Sequence, residues 1–408
     1  MFLRACTLAF VFSLTLISRA QEKPRPPVVL TDEGRRVHLE SFVFDGHNDL
    51  PWEMRTKAAG SFDKRDIRQT QAAMHTDIPR LKRGGVGAQY WSVYVPADTA
   101  KKGTALRDTL EQIQFVKTML ERYPDTFEQA RTAADVERVQ KAGKIASLIG
   151  VEGGHCIENS IENLRRLHAL GAGYMTLTHS DTLRWADAAT DDAQHQGLTP
   201  FGEEVVREMN RLGMLVDLSH VSDETMKDAL RISQAPIIYS HSSARAVADH
   251  PRNVPDDVLK LVKDKQGVVM VNFFSGFVVP GSAAKMRDMF ARRRELRAKF
   301  PKEEDYQREQ KRWEAANPID PGTIHDVVDH IDHIAKIAGI DCLGLGSDFD
   351  GINSWPKQLE DVSTYPLITQ ELLNRGYQPA DIHKIMSGNI LRVMRAAEKV
   401  AGELSRTN

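Results

Sequence analysis

Apolar residues along this chain gather into short runs rather than long ones. Eight runs are rich in β-branched and aromatic residues: FVFDGH near 42–47, VGAQYWSVYV near 86–95, IASLIGVE near 145–152, YMTLTH at 174–179, MLVDLSH at 214–220, PIIYSH at 236–241, VVMVNFF at 268–274 and LGLGSDF at 343–349. Runs of this length and near-continuous apolarity predict strands buried on both faces of a parallel sheet. Between them, apolar positions recur at helical spacing. TPFGEEVVREMNRLG offers Thr199 as an N-cap and Gly213 as a stop directly before a strand; SDETMKDALRIS opens on Ser222 as a cap directly after one. Strand–helix alternation repeated eight times predicts an α/β fold, a (β/α)8 TIM-like barrel, with a doubly wound open sheet as the alternative.

The ends of these strands carry most of the chemistry. Reading each to its C-terminal end gives His47 and Asp49, Glu152, His179, His220, His241, and finally Asp348 and Asp350. In a parallel barrel all these ends meet at one rim, where active sites are built. One histidine at a strand end is usually a hydrogen-bonded structural residue. Several metal-competent side chains at the same end of separate strands point to a shared site. Imidazole with carboxylate suits zinc and similar transition metals, whereas an all-oxygen set would suit calcium or magnesium. The set exceeds the needs of one catalytic metal and would serve two bridged by a carboxylate. H-E-x-x-H, Walker A and G-x-S-x-G patterns are absent.

Composition narrows the setting. The 408 residues are 41% apolar and 27% charged with a formal net charge of −2, an ordinary globular balance that suggests neither nucleic acid nor an anionic membrane as partner. Residues 1–20, MFLRACTLAFVFSLTLISRA, place Arg4 before an apolar stretch and end on small residues Ser18 and Ala20, which predicts a secretory signal rather than a membrane span. A polar lead-in at 21–35 and a single catalytic domain at 36–400 are expected to follow. The mature protein is then expected to be soluble, without a membrane anchor, and periplasmic or extracellular. Of three cysteines, Cys156 and Cys342 lie beyond the signal, and their pairing stays open. HDVVDHIDHI, with His325, His330 and His333, is read as a solvated helix without a ligand pattern.

The blocks FDGHNDLPW, GVEGGH, TLTH, VDLSHVS, SHSSAR, RNVPDD and LGSDFDG, in that order, resemble the membrane dipeptidase (renal dipeptidase) family of zinc metallopeptidases. The resemblance covers about 36–398. It implies a metallo-dependent hydrolase barrel with two Zn2+ per chain: His47 and Asp49 on one, His220 and His241 on the other, Glu152 bridging. It further implies that a hydroxide between the metals attacks the peptide bond of a dipeptide. His179 would support the developing oxyanion, Arg252 would grip the substrate's terminal carboxylate, and Asp348 would handle a proton or hold the free amine. Asp350 shares that motif and is the weaker choice. Trp52 and Tyr90 are candidates to line the pocket. A D-residue at the C-terminal position and a homodimer are further implications. The alternatives are a related amidohydrolase acting on lactams or N-acyl amino acids, and a non-catalytic peptide-binding relative.

The chain departs from mammalian members in two respects. Cys156 and Cys342 do not fall where their bridges are expected, and the polar C-terminus AEKVAGELSRTN carries no lipid-anchor tail, so a soluble bacterial-type relative fits better. A charged insertion at about 285–322, after the seventh strand, is expected to form a solvated helical hairpin on the active-site side. Whether it covers the pocket, contacts a second subunit or does neither is not readable from the pattern.

Overall fold

A computed structural model describes residues 25–406. The expected secretory signal at 1–20 lies outside the described residues. The strands are β1 (Val43–Asn48), β2 (Val86–Tyr94), β3 (Phe127–Gln129), β4 (Ile145–Glu152), β5 (Ala172–Thr176), β6 (Leu215–Asp217), β7 (Ile238–Tyr239), β8 (Val268–Val271) and β9 (Leu343–Leu345). β1 pairs in parallel with both β2 and β9, and β2 pairs with β4. Each later strand pairs with the next, so β1, β2 and β4–β9 close an eight-stranded parallel barrel. Closure excludes the open sheet. β3, which has no counterpart among the eight runs, adds only beside the first residues of β4, pairing Phe127 with Ile145.

The helices form where the capping chemistry requires. Helix Pro200–Leu212 starts at Thr199, whose side chain accepts from Gly202 N–H, and ends at Gly213 with φ 73°. Helix Asp223–Ile232 starts at Ser222, which accepts from Thr225 N–H. Two apolar layers result. Inside the barrel, Phe44, Tyr90, Tyr174 and Met270 pack together with Leu148 and Ile238; outside, the larger core lies between strands and helices.

Several strands are shorter than their apolar runs. The ladder of β6 stops at Asp217 because its carboxylate takes the N–H groups of Ser219 at 3.1 Å and Ser240 at 2.8 Å. Asp45 likewise takes His47 N–H at 3.1 Å and Ser347 N–H at 2.9 Å, and the β1–β2 register shifts between Asp45 and Asn48. Beyond these points the chain turns: His220 and Asp348 adopt φ of 71° and 65°, conformations non-glycine residues rarely take.

Three further expectations can be compared with the structure. From Arg25 onward the lead-in is tied down: Arg25 pairs with Asp329 at 2.7 Å, and helix Asp32–Leu39 buries Val37. Helix Ile324–Ala338 is not solvated; His325 and His330 are both buried in it. His330 accepts from Ala244 N–H at 3.0 Å through Nδ1 and donates to Val278 O at 3.0 Å through Nε2. After β8 the chain forms helices Pro280–Lys299 and Glu303–Ala316, and Phe274, Phe277 and Met286 make a small apolar cluster where the first of them meets the barrel. Cys156 and Cys342 are free and buried.

Candidate metal centre

Each candidate ligand stands on or just past a barrel strand. His47 is the penultimate residue of β1 and Glu152 the last of β4. Asp49 is the N-cap position of helix Leu50–Ala58. His179, His220 and Asp348 follow their strands by three residues and His241 by two. The structure brings all seven together.

Glu152 is the hub. Its Oε1 lies 3.1 Å from His220 Nε2 and 3.6 Å from both His179 Nε2 and His241 Nε2. Its Oε2 lies 3.6 Å from His47 Nε2 and accepts from Ser92 Oγ at 3.2 Å. One carboxylate oxygen therefore faces the β5–β7 histidines and the other faces β1. His47 Nε2 is also 3.2 Å from Asp49 Oδ2. The Nε2 atoms of His220 and His241 converge to 2.9 Å. Three overlapping sets of donor atoms could each hold an ion: His47, Glu152 and His241; Glu152, His179 and His220; His47, Asp49 and Asp348.

The electrostatics separate the imidazoles: burial opposes the charge on His47, but Tyr174, Asp49 and Glu152 outweigh it and hold this ring well above the usual range. Burial, then the charge of Arg252, holds His220 well below the usual imidazole range. Burial and then the neighbouring His47 and Arg252 do the same for His241. Neutral imidazole is the ligating form. Burial opposes the charge on Glu152, but His47 and His179 outweigh it and hold the carboxyl well below the usual range. Asp348 is pushed up to about 8, by burial first and then by Asp49 and Glu152. Its Oδ2 accepts from Asn272 Nδ2 at 2.8 Å.

Arg252 sits in the turn after β7. The residue is 2% exposed, and its guanidinium donates to Ser242 Oγ and to the His241 carbonyl, each at 3.3 Å. Its Nε has no partner, and among the described residues no carboxylate lies within 4 Å of it. Burial lowers its pKa to about 10. Its Cζ also lies 5.2 Å from the centre of the Phe277 ring, and a buried cation with so few partners can accept an anion.

The aromatic candidates separate. Trp52 is half-buried with its ring edge-on to Tyr94 at 5.0 Å, and Tyr94 lies 4.8 Å from the His179 ring. Tyr90 is buried deeper in the barrel, between Phe44 and Tyr174, and is not brought to the rim. Tyr94 went unnoticed in the sequence, although strand parity puts it on the same face as Tyr90 and two pairs nearer the carboxyl end. Asn272 was also missed; it was the one polar residue in VVMVNFF. Asp350 pairs main chain and side chain with His75, at 2.8 and 2.7 Å. A cavity of about 520 Å3 flanks the cluster, lined among others by His155, Glu158, Asp181 and Arg184. No cluster residue lines it.

A closed parallel barrel that gathers imidazoles and carboxylates around a buried glutamate at its carboxyl rim has the architecture of a metal-dependent hydrolase. The model of the membrane dipeptidase family, peptidase family M19, matches residues 31–408, and the chain belongs to that family of metallo-dipeptidases. Solved structures share the fold. The probable dipeptidase PvdM from Pseudomonas aeruginosa is 23% identical with a TM-score of 0.79, over 90% of this chain and 98% of that one. An amidohydrolase from Pseudomonas aeruginosa is 22% identical with a TM-score of 0.69, over 89% and 98%. A metallo peptidase from Rhodobacter sphaeroides, liganded with a phosphinate mimic of the dipeptide L-Ala-D-Ala, is 24% identical with a TM-score of 0.70, over 88% and 99%.

Proposed function

We propose that the protein is a binuclear zinc dipeptidase, and the divided carboxylate of Glu152 is the observation that carries this reading. The residues fit such a group: His47 Nε2 is buried without a hydrogen-bond partner, and the nitrogen–oxygen donor set suits zinc. His47 and Asp49 would hold one ion, His220 and His241 the other, and Glu152 both. Bound there, the pair supplies Lewis acidity and lowers the pKa of water.

The chain's own groups then position the substrate. Arg252 binds the terminal carboxylate as a charge-assisted pair. Its guanidinium donates to the main-chain oxygen of His241, a residue of the centre, and a carboxylate gripped there would favour dipeptides over longer chains. His179, held down to about 4 mainly by burial, stays neutral and presents Nε2 toward the centre as a donor for the developing oxyanion. Asp348, fixed by Asn272, receives the substrate's amine or carries its proton. Trp52 and Tyr94 form an aromatic wall for a side chain. The L-Ala-D-Ala mimic bound to the Rhodobacter sphaeroides neighbour supports acceptance of a D-residue at the C-terminal position.

The test is metal analysis of the purified protein with a dipeptide panel, alongside Asp49→Ala. About two zincs per chain and activity abolished in the variant are expected. Full activity of a metal-free preparation would sink the mechanism. The amidohydrolase neighbour favours a second reading, action on N-acyl amino acids or lactams. Loss of turnover when the dipeptide amine is acylated argues against it.

A further inference from the structure

The barrel carries a buried carboxylate that touches no substrate and is not a ligand, yet its hydrogen bonds lead directly to one. Asp217 ends β6 with no exposure. Its Oδ1 accepts two main-chain N–H groups, Ser219 at 3.1 Å and Ser240 at 2.8 Å. Its Oδ2 accepts two hydroxyls, Thr176 Oγ1 and Ser240 Oγ, each at 2.6 Å. Ser240 Oγ also lies 2.8 Å from His241 Nδ1.

The proton arrangement along this chain is determined. Ser240 has one hydroxyl proton, and the short bond to a carboxylate commits it. Toward His241 the hydroxyl oxygen can then only accept, so Nδ1 carries the hydrogen and Nε2 presents its lone pair to Glu152 and His220. We propose that Asp217 is a positioning residue: through Ser240 it fixes His241 in the tautomer that can ligate a metal at Nε2. The inference rests on the reading of His241 as a ligand. His47 has a different support, a phenol: Tyr174 Oη at 2.8 Å from Nδ1. The two halves of the centre are therefore separable, and a change at Asp217 acts on the His220–His241 half.

The sharpest perturbation is Asp217→Asn. The two main-chain N–H groups hold the amide oxygen in the place of Oδ1, so the amide nitrogen takes the place of Oδ2 and donates to Ser240. The serine proton is released toward His241 Nδ1, and the lone pair at Nε2 is replaced by N–H. The variant keeps shape and burial and inverts one proton.

The experiment measures three things on the full-length protein: zinc per chain and zinc affinity by chelator competition, thermal stability, and the His241 tautomer by long-range 1H–15N correlation on metal-free, 15N-histidine-labelled protein. His241→Ala, Ser240→Ala and Ser240→Thr accompany Asp217→Asn. The expected result is that Asp217→Asn reports Nε2–H on His241 and weakens one of two zincs about 10–100-fold, leaving the other unchanged. Ser240→Ala weakens the same zinc and Ser240→Thr restores it. An unchanged tautomer and both affinities intact in folded Asp217→Asn overturn the proposal. Should Asp217→Asn fail to fold, the serine pair decides: equal zinc affinity in Ser240→Ala and Ser240→Thr also overturns it. His241→Ala separates the two levels, because if it retains both zincs the ligand reading itself fails.

Discussion

Replacing Arg252 with methionine separates a binding role from a structural one. The guanidinium carries a desolvation cost that its partners do not offset. Its pKa is lowered from the ordinary guanidinium value to about 10, chiefly through burial. A folded-state pKa below the unfolded one means the charged form is disfavoured by folding, and at any pH below about 10 the full cost is present. At about 1.4 kcal/mol per pKa unit this is about 3 kcal/mol. Methionine keeps much of the apolar stem and removes the charge. It forgoes the two 3.3 Å hydrogen bonds to Ser242 and His241, worth about 1 kcal/mol each. The variant is therefore expected to be as stable as the parent or about 1 kcal/mol more so. Activity moves the other way: losing one partner of a buried charge pair costs about 2–5 kcal/mol, or roughly 30- to 4000-fold in kcat/KM. The assay compares kcat/KM for a dipeptide and its C-terminal amide, with a thermal melt of both proteins. The loss should be confined to the substrate with a free carboxylate. Equal losses on acid and amide, or a melting temperature several degrees lower, would refute the assignment.

Three further outcomes follow from the same geometry. His330 is buried neutral with its pKa lowered to about 4 by burial, so the unfolded chain takes up this proton first as pH falls. Stability measured by urea should drop by about 1.4 kcal/mol per pH unit from about 6.5 to about 4 on account of this group, and His330→Asn should reduce that slope. Gly346→Ala would place a methyl 1.9 Å from the Ser240 carbonyl oxygen; a cost of at least about 1–3 kcal/mol and weakened zinc binding are expected, and a melt matching the parent would contradict the close approach. Trp52→Ala removes the ring packed on Tyr94, so KM should rise about 2- to 10-fold, one aromatic contact being worth about 0.5–1.5 kcal/mol, with kcat little changed; an unaltered KM would place the ring outside the substrate's reach.

Much of this architecture was legible because barrel strands are buried on both faces and read as continuous apolar runs. The eight barrel strands fall within or beside the eight runs, and the metal-competent side chains stand at their carboxyl ends. What the pattern hides is set by partners distant in sequence. His325 and His330 look solvated beside Asp326, Asp329 and Asp332, yet His325 meets Glu371 at 2.8 Å and Pro26 O at 2.8 Å. A polar ring can be buried when each nitrogen finds a partner, and these partners come from other elements. Tyr90 and Tyr94 are both large aromatics on one face of β2, and depth along the strand, not residue type, separates them.

Asp45 and Asp217 show where a stricter physical reading goes further than periodicity. Each stands in an apolar run, in VFDGH and LVDLSH, shortly before a histidine of the candidate metal centre. A carboxylate there cannot stay ionised and buried without several donors. The nearest donors are the main-chain N–H groups that would otherwise continue the ladder. Such an aspartate must therefore disturb its ladder: Asp217 is the last residue of β6, and at Asp45 the pairing of β1 with β2 shifts register before resuming at Asn48. Asp45 takes N–H groups from His47 and Ser347 and hydroxyls from Ser347 at 2.6 Å and Tyr365 at 2.7 Å. Asp217 is satisfied by the same kind of set, two N–H groups and two hydroxyls. Ending the strand early frees the next two or three residues from the pleat, and freedom from the pleat lets His220 adopt its positive φ and turn inward. Asp217 thus stops a strand and sets the turn that delivers His220. It also orders the hydroxyl that the neighbouring His241 leans on. The acidic residue inside an apolar strand, rather than the histidine after it, is the more specific mark of this rim.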